Sequence, residues 1–216
     1  MLNVVYVINL YDEFDNVVST SRWFDDMPNN GLVEEYMKIQ NDEGVVFKYA
    51  AIEKRYYNNK KQIKEEIRDL FLVDRTEYVL AHCISLDCAM GAGVAKIFTD
   101  IHKGLRDYCK KQVSLGNDTG DAIRYKDDLG VVYNLITKNV CWHKANRSEE
   151  AYELYLYNLE NCLDDLKYQM VENGERKLAI PQLGCGLDKC NWEDVKEIIE
   201  KVFNGSNIKV LICVLE

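Results

Sequence analysis

The stretch Glu77-Tyr-Val-Leu-Ala-His82, with the loop Asp87-Cys-Ala-Met-Gly-Ala-Gly-Val94 that follows it, leads from an apolar strand through two glycines into a helix. Beyond the loop, apolar residues recur at the helical spacing of three and four: Val94, Ile97, Phe98, Ile101, Leu105 and Tyr108. This pattern predicts a single helix after the loop. A strand that continues through a short loop into a helix is the start of an α/β unit.

The same alternation continues to the end of the chain. Further strands are predicted at residues 130–137, 177–181 and 208–215. The last of them is almost continuously apolar, which is typical of a central strand buried on both faces. A long helix is predicted from about Asn146, in a capping box with Glu149, to Asn173, and Asn191 is predicted to cap another. Helices that alternate with buried strands indicate a three-layer α/β fold.

Residues 1–58 have a different pattern, with strands expected near residues 4–10 and 45–51 and a short helix near residues 31–40. We interpret them as a small α+β N-terminal extension of the main domain, which spans residues 59–216. Because about 58 residues make a marginal core alone, we expect the extension to be docked on the main domain.

The composition excludes several classes of protein. Of the 216 residues, 47% are apolar and 29% charged, as in ordinary globular proteins, and the net charge of −9 argues against a broad footprint for duplex nucleic acid. The longest apolar runs are far shorter than the roughly 20 residues of a membrane span. The first residues lack the basic segment of a signal peptide. We therefore expect an intracellular protein with reduced cysteines, in the cytoplasm or, in a eukaryote, also in the nucleus. We also expect a monomer.

The eight cysteines include two C-x4-C pairs, Cys83 with Cys88 and Cys185 with Cys190, and His82 precedes the first pair. Zinc sites more often use C-x2-C pairs. We interpret these cysteines as small buried apolar residues and His82 as a hydrogen-bonded strand histidine. The prediction is that the protein holds no metal and needs no cofactor.

Two glycine loops are candidates for binding an anion. The first contains Gly91 and Gly93 and leads into a helix, and the second is Pro181-Gln-Leu-Gly-Cys-Gly-Leu-Asp188. Glycines let backbone amides approach a phosphate closely, and a helix N-terminus adds a favourable dipole. Neither loop contains the Gly-Lys-Ser/Thr of a Walker loop. Two such loops at the carboxyl ends of strands suggest a diphosphate ligand.

Two charged residues near these loops have more than one interpretation. Lys138 ends the strand at 130–137, where it is either a solvated lysine or a nucleophile for a sugar carbon. Asp188 follows the second glycine loop, where it either forms turn hydrogen bonds or acts as a general acid and base. Asp69 is equally suited to a turn and to accepting a hydrogen bond from an adenine amino group.

Taken together, four segments in order resemble the macrodomain family, and most closely its terminal ADP-ribose protein glycohydrolase branch. The segments cover roughly residues 60–216: Asp69-Leu-Phe71, Ala81 to Ala95, Tyr133 to Lys138, and Pro181 to Lys189 with Asn191-Trp-Glu193. The resemblance implies a mixed central sheet between helices, with ADP-ribose in a cleft across the strand ends.

The resemblance also implies a role for each site residue. Lys138 would be the nucleophile and Asp188 the proton carrier. The ligand-binding residues that it implies are Asp69 and Leu70 at the adenine, Ser85, Gly91, Gly93 and Val94 at the distal ribose and diphosphate, Gln182, Leu183, Gly184, Cys185, Gly186 and Leu187 around the diphosphate, and Leu215.

Three functions are compatible with these residues. The first is an enzyme that removes ADP-ribose from a modified macromolecule, with a Glu or Asp ester as the first expected linkage and ADP-ribosylated nucleic-acid bases or O-acetyl-ADP-ribose as variants. The second is a module that binds ADP-ribose or a related nucleotide signal without turnover. The third is an ADP-ribose-1''-phosphatase. The presence of both Lys138 and Asp188 favours the first.

Overall fold

The computed structural model describes residues 2–14, 17–21, 28, 30–58 and 62–215. The chain divides into two compact units, Met1–Lys60 and Lys61–Glu216. This division falls close to the boundary expected from the sequence. The docking of the first unit on the second stays a prediction.

The first unit is α+β, as its sequence pattern suggests. Strand β1 (Leu2–Tyr11) lies between β2 (Val17–Thr20) and β3 (Tyr49–Asn58) in an antiparallel sheet, and α1 (Asn30–Asp42) precedes β3. The strand predicted at 45–51 is shifted, because a turn with Gly44 at φ +83° follows α1 and pairing starts only at Tyr49, opposite Tyr11.

The second unit is built on a six-stranded mixed sheet in the order β4-β9-β8-β5-β7-β6. Its strands are β4 (Ile63–Ile67), β5 (Val79–Ser85), β6 (Ala122–Asp127), β7 (Gly130–Lys138), β8 (Lys177–Pro181) and β9 (Lys209–Val214). All neighbouring pairs are parallel except β6 with β7. The mixed sheet is confirmed, and β4 and β6 were not predicted.

Helices cover both faces of this sheet, which confirms the three-layer fold. Helices α2 (Gly93–Ile101) and α3 (Leu105–Ser114) contribute Phe98 and Cys109 to the apolar core of one face. Helices α4 (Glu149–Glu172) and α5 (Trp192–Phe203) cover the other face. No helix within the described ranges is long and apolar enough to cross a membrane.

Two of the predicted helix boundaries are wrong. The helix expected over Val94 to Tyr108 is two helices, because His102 is a C-cap and Gly104, at φ +89°, turns the chain before α3. Helix α4 begins later than expected, because the Ser148 hydroxyl caps it by accepting a hydrogen bond from the Ala151 amide at 3.2 Å. The cap at Asn191 and the stop after residue 172 are confirmed.

The loop after β8 is positioned by a close approach at Gly184. This residue has φ +71°, and a Cβ atom built on it would lie 2.9 Å from the Tyr155 hydroxyl oxygen and 3.1 Å from the Cys190 sulfur. Only glycine fits there without displacing α4 or the loop itself. The packing of this loop on Tyr155 therefore requires that residue 184 has no side chain.

We expect Gly184→Ala to lower the free energy of unfolding by about 2–4 kcal/mol, because it adds a steric clash to left-handed backbone strain. The matched control is Gly174→Ala, at φ +73° with nothing within 4 Å of the added Cβ atom, which carries the strain alone. This control is expected to cost about 1 kcal/mol. Urea denaturation followed by circular dichroism measures both, and equal losses would contradict the clash.

His82 lies in the centre of the sheet and is hydrogen-bonded, as predicted. Its Nε2 donates to the Asn134 side-chain oxygen at 2.9 Å, and its ring stacks on Phe98 with centroids 4.1 Å apart. Burial lowers the pKa of His82 from 6.5 to about 4. The folded protein therefore keeps this ring neutral at a pH where the unfolded chain would be protonated.

The stabilisation from His82 is complete above pH 6.5 and is lost as the pH falls toward 4. Between pH 7 and pH 5, we expect this group alone to reduce the free energy of unfolding by about 2 kcal/mol. The slope of that free energy against pH should be shallower in His82→Gln than in the wild type. A slope in His82→Gln equal to that of the wild type would contradict this assignment.

Candidate functional site

Three neighbouring parallel strands end at one edge of the sheet. Strands β8, β5 and β7 are adjacent in that order, and their last residues are Pro181, Ser85 and Lys138. Ser85 and Lys138 are register partners across β5 and β7. Both glycine loops leave from this edge, because one follows β5 and the other follows β8. Ser85, Lys138 and the two glycine loops therefore lie together at the carboxyl ends of the strands, where ligands of open α/β sheets bind.

Lys138 and Asp188 form an ion pair at this edge, between the Lys138 Nζ and Asp188 Oδ1 atoms. Their side chains are 14% and 11% exposed. The second glycine loop carries Asp188 from the end of β8 past the end of β5 to β7. An amine and a carboxylate in contact and largely removed from water can exchange a proton directly, which is what covalent catalysis by lysine requires.

Tyr155, on α4, forms a hydrogen bond that orients the carboxylate of Asp188. Its hydroxyl donates a hydrogen bond to Asp188 Oδ2 at 3.2 Å, so that both carboxylate oxygens of Asp188 have partners. Burial raises the pKa of Tyr155 well above 10, so this hydroxyl stays a donor. Cys83 is close to the same group, and burial raises the pKa of its thiol to about 12, which leaves it a neutral thiol.

Asp87 connects the loop after β5 to the segment after β7. One of its carboxylate oxygens accepts from the Ser85 hydroxyl at 2.5 Å and from the Ala89 amide at 3.2 Å, and the other accepts from the Cys141 amide at 3.1 Å. Burial opposes ionisation of Asp87, but these hydrogen bonds outweigh it and lower the pKa of the carboxyl below its usual value. The first glycine loop is thereby fixed beside Lys138.

The two glycine loops approach each other at one point. Gly93 begins α2 at φ +59°, and a Cβ atom on it would lie 3.2 Å from the Leu187 side chain. Gly91 and Gly93 are exposed, as is Gly186, which has open space around its Cα atom. Backbone amides of both loops are therefore accessible at the edge that carries the ion pair.

The remaining predicted residues of the two loops differ in how deeply they are buried. Val94, Gln182 and Cys185 are half-buried along the loops, and the Leu183 side chain packs in the core under α4. Leu183 therefore has only its backbone to offer a ligand.

At the expected adenine end, Asp69 is exposed and caps a short 3-10 turn, because its carboxylate accepts from the Phe71 amide at 2.9 Å. Leu70 is buried in the core under α2, and Leu215 is exposed beyond the end of β9. Nothing in the structure brings these three residues to the ion pair, and their adenine contacts stay a prediction.

A cavity of about 390 Å³ opens between the end of β7 and the first turns of α4. Lys138 and Tyr155 line it, together with Lys144 and Arg147 from the segment before α4. Lys138 is the single residue of the predicted set that borders this cavity in the described part of the chain. Lys138 therefore borders this cavity as well as contacting Asp188.

The sequence did not identify Tyr155 and Asp87 as residues that position the site. Tyr155 lies on the apolar stripe of α4. Spacing alone cannot distinguish a tyrosine that only packs there from one whose hydroxyl forms a functional hydrogen bond. A buried tyrosine needs a hydrogen-bond partner, and that rule is the signal that points to it. Asp87 lies two residues after Ser85 at a strand end, a pattern typical of side chains that satisfy loop amides.

No metal site is formed by the residues that the structure describes, since three or more His, Cys, Asp or Glu side chains do not converge anywhere among them. All eight cysteines are free thiols. The loops at this edge supply backbone amides, which suit an anionic ligand better than a cation.

Comparison with known proteins agrees with this geometry. The family model for the Macro domain matches residues 82–199. The ADP-ribose glycohydrolase OARD1 of Homo sapiens is 37% identical over 147 residues, which cover 68% of this chain and 88% of that protein. OARD1 of Bos taurus matches with the same identity and coverage.

Solved structures have the same fold. The macrodomain of Thermus aquaticus DarG superposes with a TM-score of 0.59 at 21% identity, over 71% of this chain and 97% of that one. Thermosipho africanus DarTG, solved in complex with ADP-ribose, has a TM-score of 0.57 at 17% identity, over 97% of this chain and 69% of that one. The resemblance inferred from the four sequence segments is confirmed, and this chain belongs to the macrodomain family.

Proposed function

We propose that this protein is a hydrolase that removes ADP-ribose from modified macromolecules, with Lys138 as the nucleophile and Asp188 as the acid and base. The observation that carries the proposal is the largely buried ion pair of these two residues at the strand ends. Its relatives named ADP-ribose glycohydrolase support the activity. We further propose an ester to a Glu or Asp side chain as the linkage that is cleaved.

Binding of ADP-ribose is assigned to the two glycine loops. Their exposed backbone amides would hold the diphosphate, and the N-terminus of α2 adds a favourable dipole for negative charge. The distal ribose would then lie over Ser85 and Lys138, which are partners across the two central strands. This placement brings the anomeric carbon to the amine.

The first chemical step breaks the bond between the anomeric carbon and the carboxylate of the acceptor. The Lys138 ammonium group first gives a proton to Asp188 and becomes a neutral amine. The lone pair of the amine nitrogen then forms the new bond to carbon. The acceptor carboxylate leaves with the bonding electrons. The product is a covalent lysyl-ADP-ribose, and no external acid is needed because a carboxylate is a good leaving group.

The second step returns the enzyme to its starting state. A water molecule attacks the anomeric carbon while the bond from carbon to the Lys138 nitrogen breaks. Asp188 gives that nitrogen the proton it took in the first step, then accepts the proton of the attacking water and releases it to solvent. Free ADP-ribose is released, and the acceptor carboxylate has already left in the first step. Tyr155 keeps Asp188 oriented through both transfers, because its hydroxyl holds the second carboxylate oxygen.

Lys138→Ala should reduce single-turnover release of ADP-ribose from a glutamate-ADP-ribosylated peptide by roughly a thousandfold or more, because it removes the nucleophile. Intact-mass analysis of quenched wild-type samples should show one added ADP-ribosyl group, which the variant lacks. The matched control is Lys126→Ala, an exposed lysine on β6, which should react at the wild-type rate.

Two results would contradict this mechanism. Binding of ADP-ribose by calorimetry without any release from the peptide would identify a binding module. Release of phosphate from ADP-ribose-1''-phosphate at an equal rate in wild type and Lys138→Ala would identify a phosphatase that does not use the lysine.

Tyr155→Phe should lower kcat by roughly tenfold with little change in KM, because it removes the hydrogen bond to Asp188 and leaves the binding loops intact. Steady-state kinetics on the same peptide measures this separation. Tyr152→Phe is the matched control, because its hydroxyl on the same helix donates to Asp194 at 2.6 Å and accepts from the Asn191 amide at 3.0 Å, and neither partner belongs to the ion pair. Equal kcat losses in both variants would mean that the tyrosine acts only through stability.

A further inference from the structure

We propose that the cavity between β7 and α4 is a subsite for an acidic side chain of the protein acceptor, next to the glutamate or aspartate that carries ADP-ribose. This inference rests on the proposed function, since it concerns the group on the other side of the bond that Lys138 attacks. It assigns to the enzyme a preference for ADP-ribosylated peptides with carboxylates beside the modified residue.

The cavity is placed to receive the acceptor. It has a volume of about 390 Å³ and is bordered by Lys138 itself, while the glycine loops that would hold ADP-ribose are not among its lining residues. An acceptor bonded to the anomeric carbon must extend away from the diphosphate. The volume lies within the range of sites for small ligands and has room for a short peptide side chain.

The charges at the cavity are positive. Lys144 and Arg147 line it, and the N-terminus of the 24-residue helix α4 opens into it at Ser148. Within the described ranges, neither Lys144 nor Arg147 forms an ion pair with a carboxylate. Both are therefore available to an incoming anion, in a chain whose net charge is −9.

The size of this positive region favours a single carboxylate over a nucleic-acid strand. In the described part of the chain, the lining cations without an ion-pair partner are Lys144 and Arg147, and Glu149 with Glu150 follows closely in the first turn of α4. A phosphate backbone would need a longer track of cations. The exposed Trp142 is not among the residues that line the cavity, so it offers no stacking platform inside it.

The test uses two synthetic peptides with the same ADP-ribosylated glutamate, one flanked by Asp and Glu and the other by Asn and Gln. At low ionic strength, the wild type should cleave the acidic peptide with a kcat/KM roughly threefold to tenfold higher. The double variant Lys144→Gln/Arg147→Gln should lose this preference and keep its rate on the neutral peptide. The charge-retaining Lys144→Arg/Arg147→Lys and the distant Lys126→Gln should both keep the preference.

Each other outcome overturns the subsite in a distinguishable way. Equal rates on both peptides in the wild type would exclude the subsite while leaving the hydrolase intact. Release from neither peptide would remove the proposed function and the subsite together. A larger preference for an ADP-ribosylated oligonucleotide, lost in Lys144→Gln/Arg147→Gln, would assign the cavity to a nucleic-acid acceptor. Thermal melting is the check that the variants remain folded. We expect them to do so because the changed side chains are exposed.

Discussion

An ion pair that is almost withdrawn from water is stable only if its partners are held in contact, because each charge alone would cost several kcal/mol to bury. Lys138 and Asp188 meet that condition through unrelated parts of the chain. The sheet holds the lysine at the end of β7, opposite Ser85. A loop packed against Tyr155 by way of Gly184 holds the aspartate. The packing of the sheet, α4 and this loop therefore keeps the lysine and the aspartate in contact.

Lys138 of this pair has two different surroundings. On one side lie the exposed glycine loops, whose backbone amides suit a diphosphate. On the other lies the cavity bordered by Lys144 and Arg147. A bond to be broken at Lys138 would therefore have its nucleotide half and its acceptor half in separate environments.

Periodicity and turn residues predicted most elements of the second unit. Strands β5, β7, β8 and β9 and the helix capped by Asn191 follow from local patterns of apolar residues. The errors have physical causes. Gly104 interrupts an apolar stripe that stays in phase across the break, and Ser148 outcompetes Asn146 as a cap. The edge strand β6 pairs with a single neighbour, and its mixed polarity leaves no clear pattern.

By itself, the sequence determined the layered α/β class, the two glycine loops, the membership in the macrodomain family, and Lys138 and Asp188 as candidates. These features depend on residue type, spacing and order, which are local. Only the tertiary structure decided that the lysine and the aspartate touch, that Tyr155 completes the pair, and that a cationic cavity adjoins it. Each of these contacts joins residues far apart in the chain, and their distances are set by how strands and helices pack.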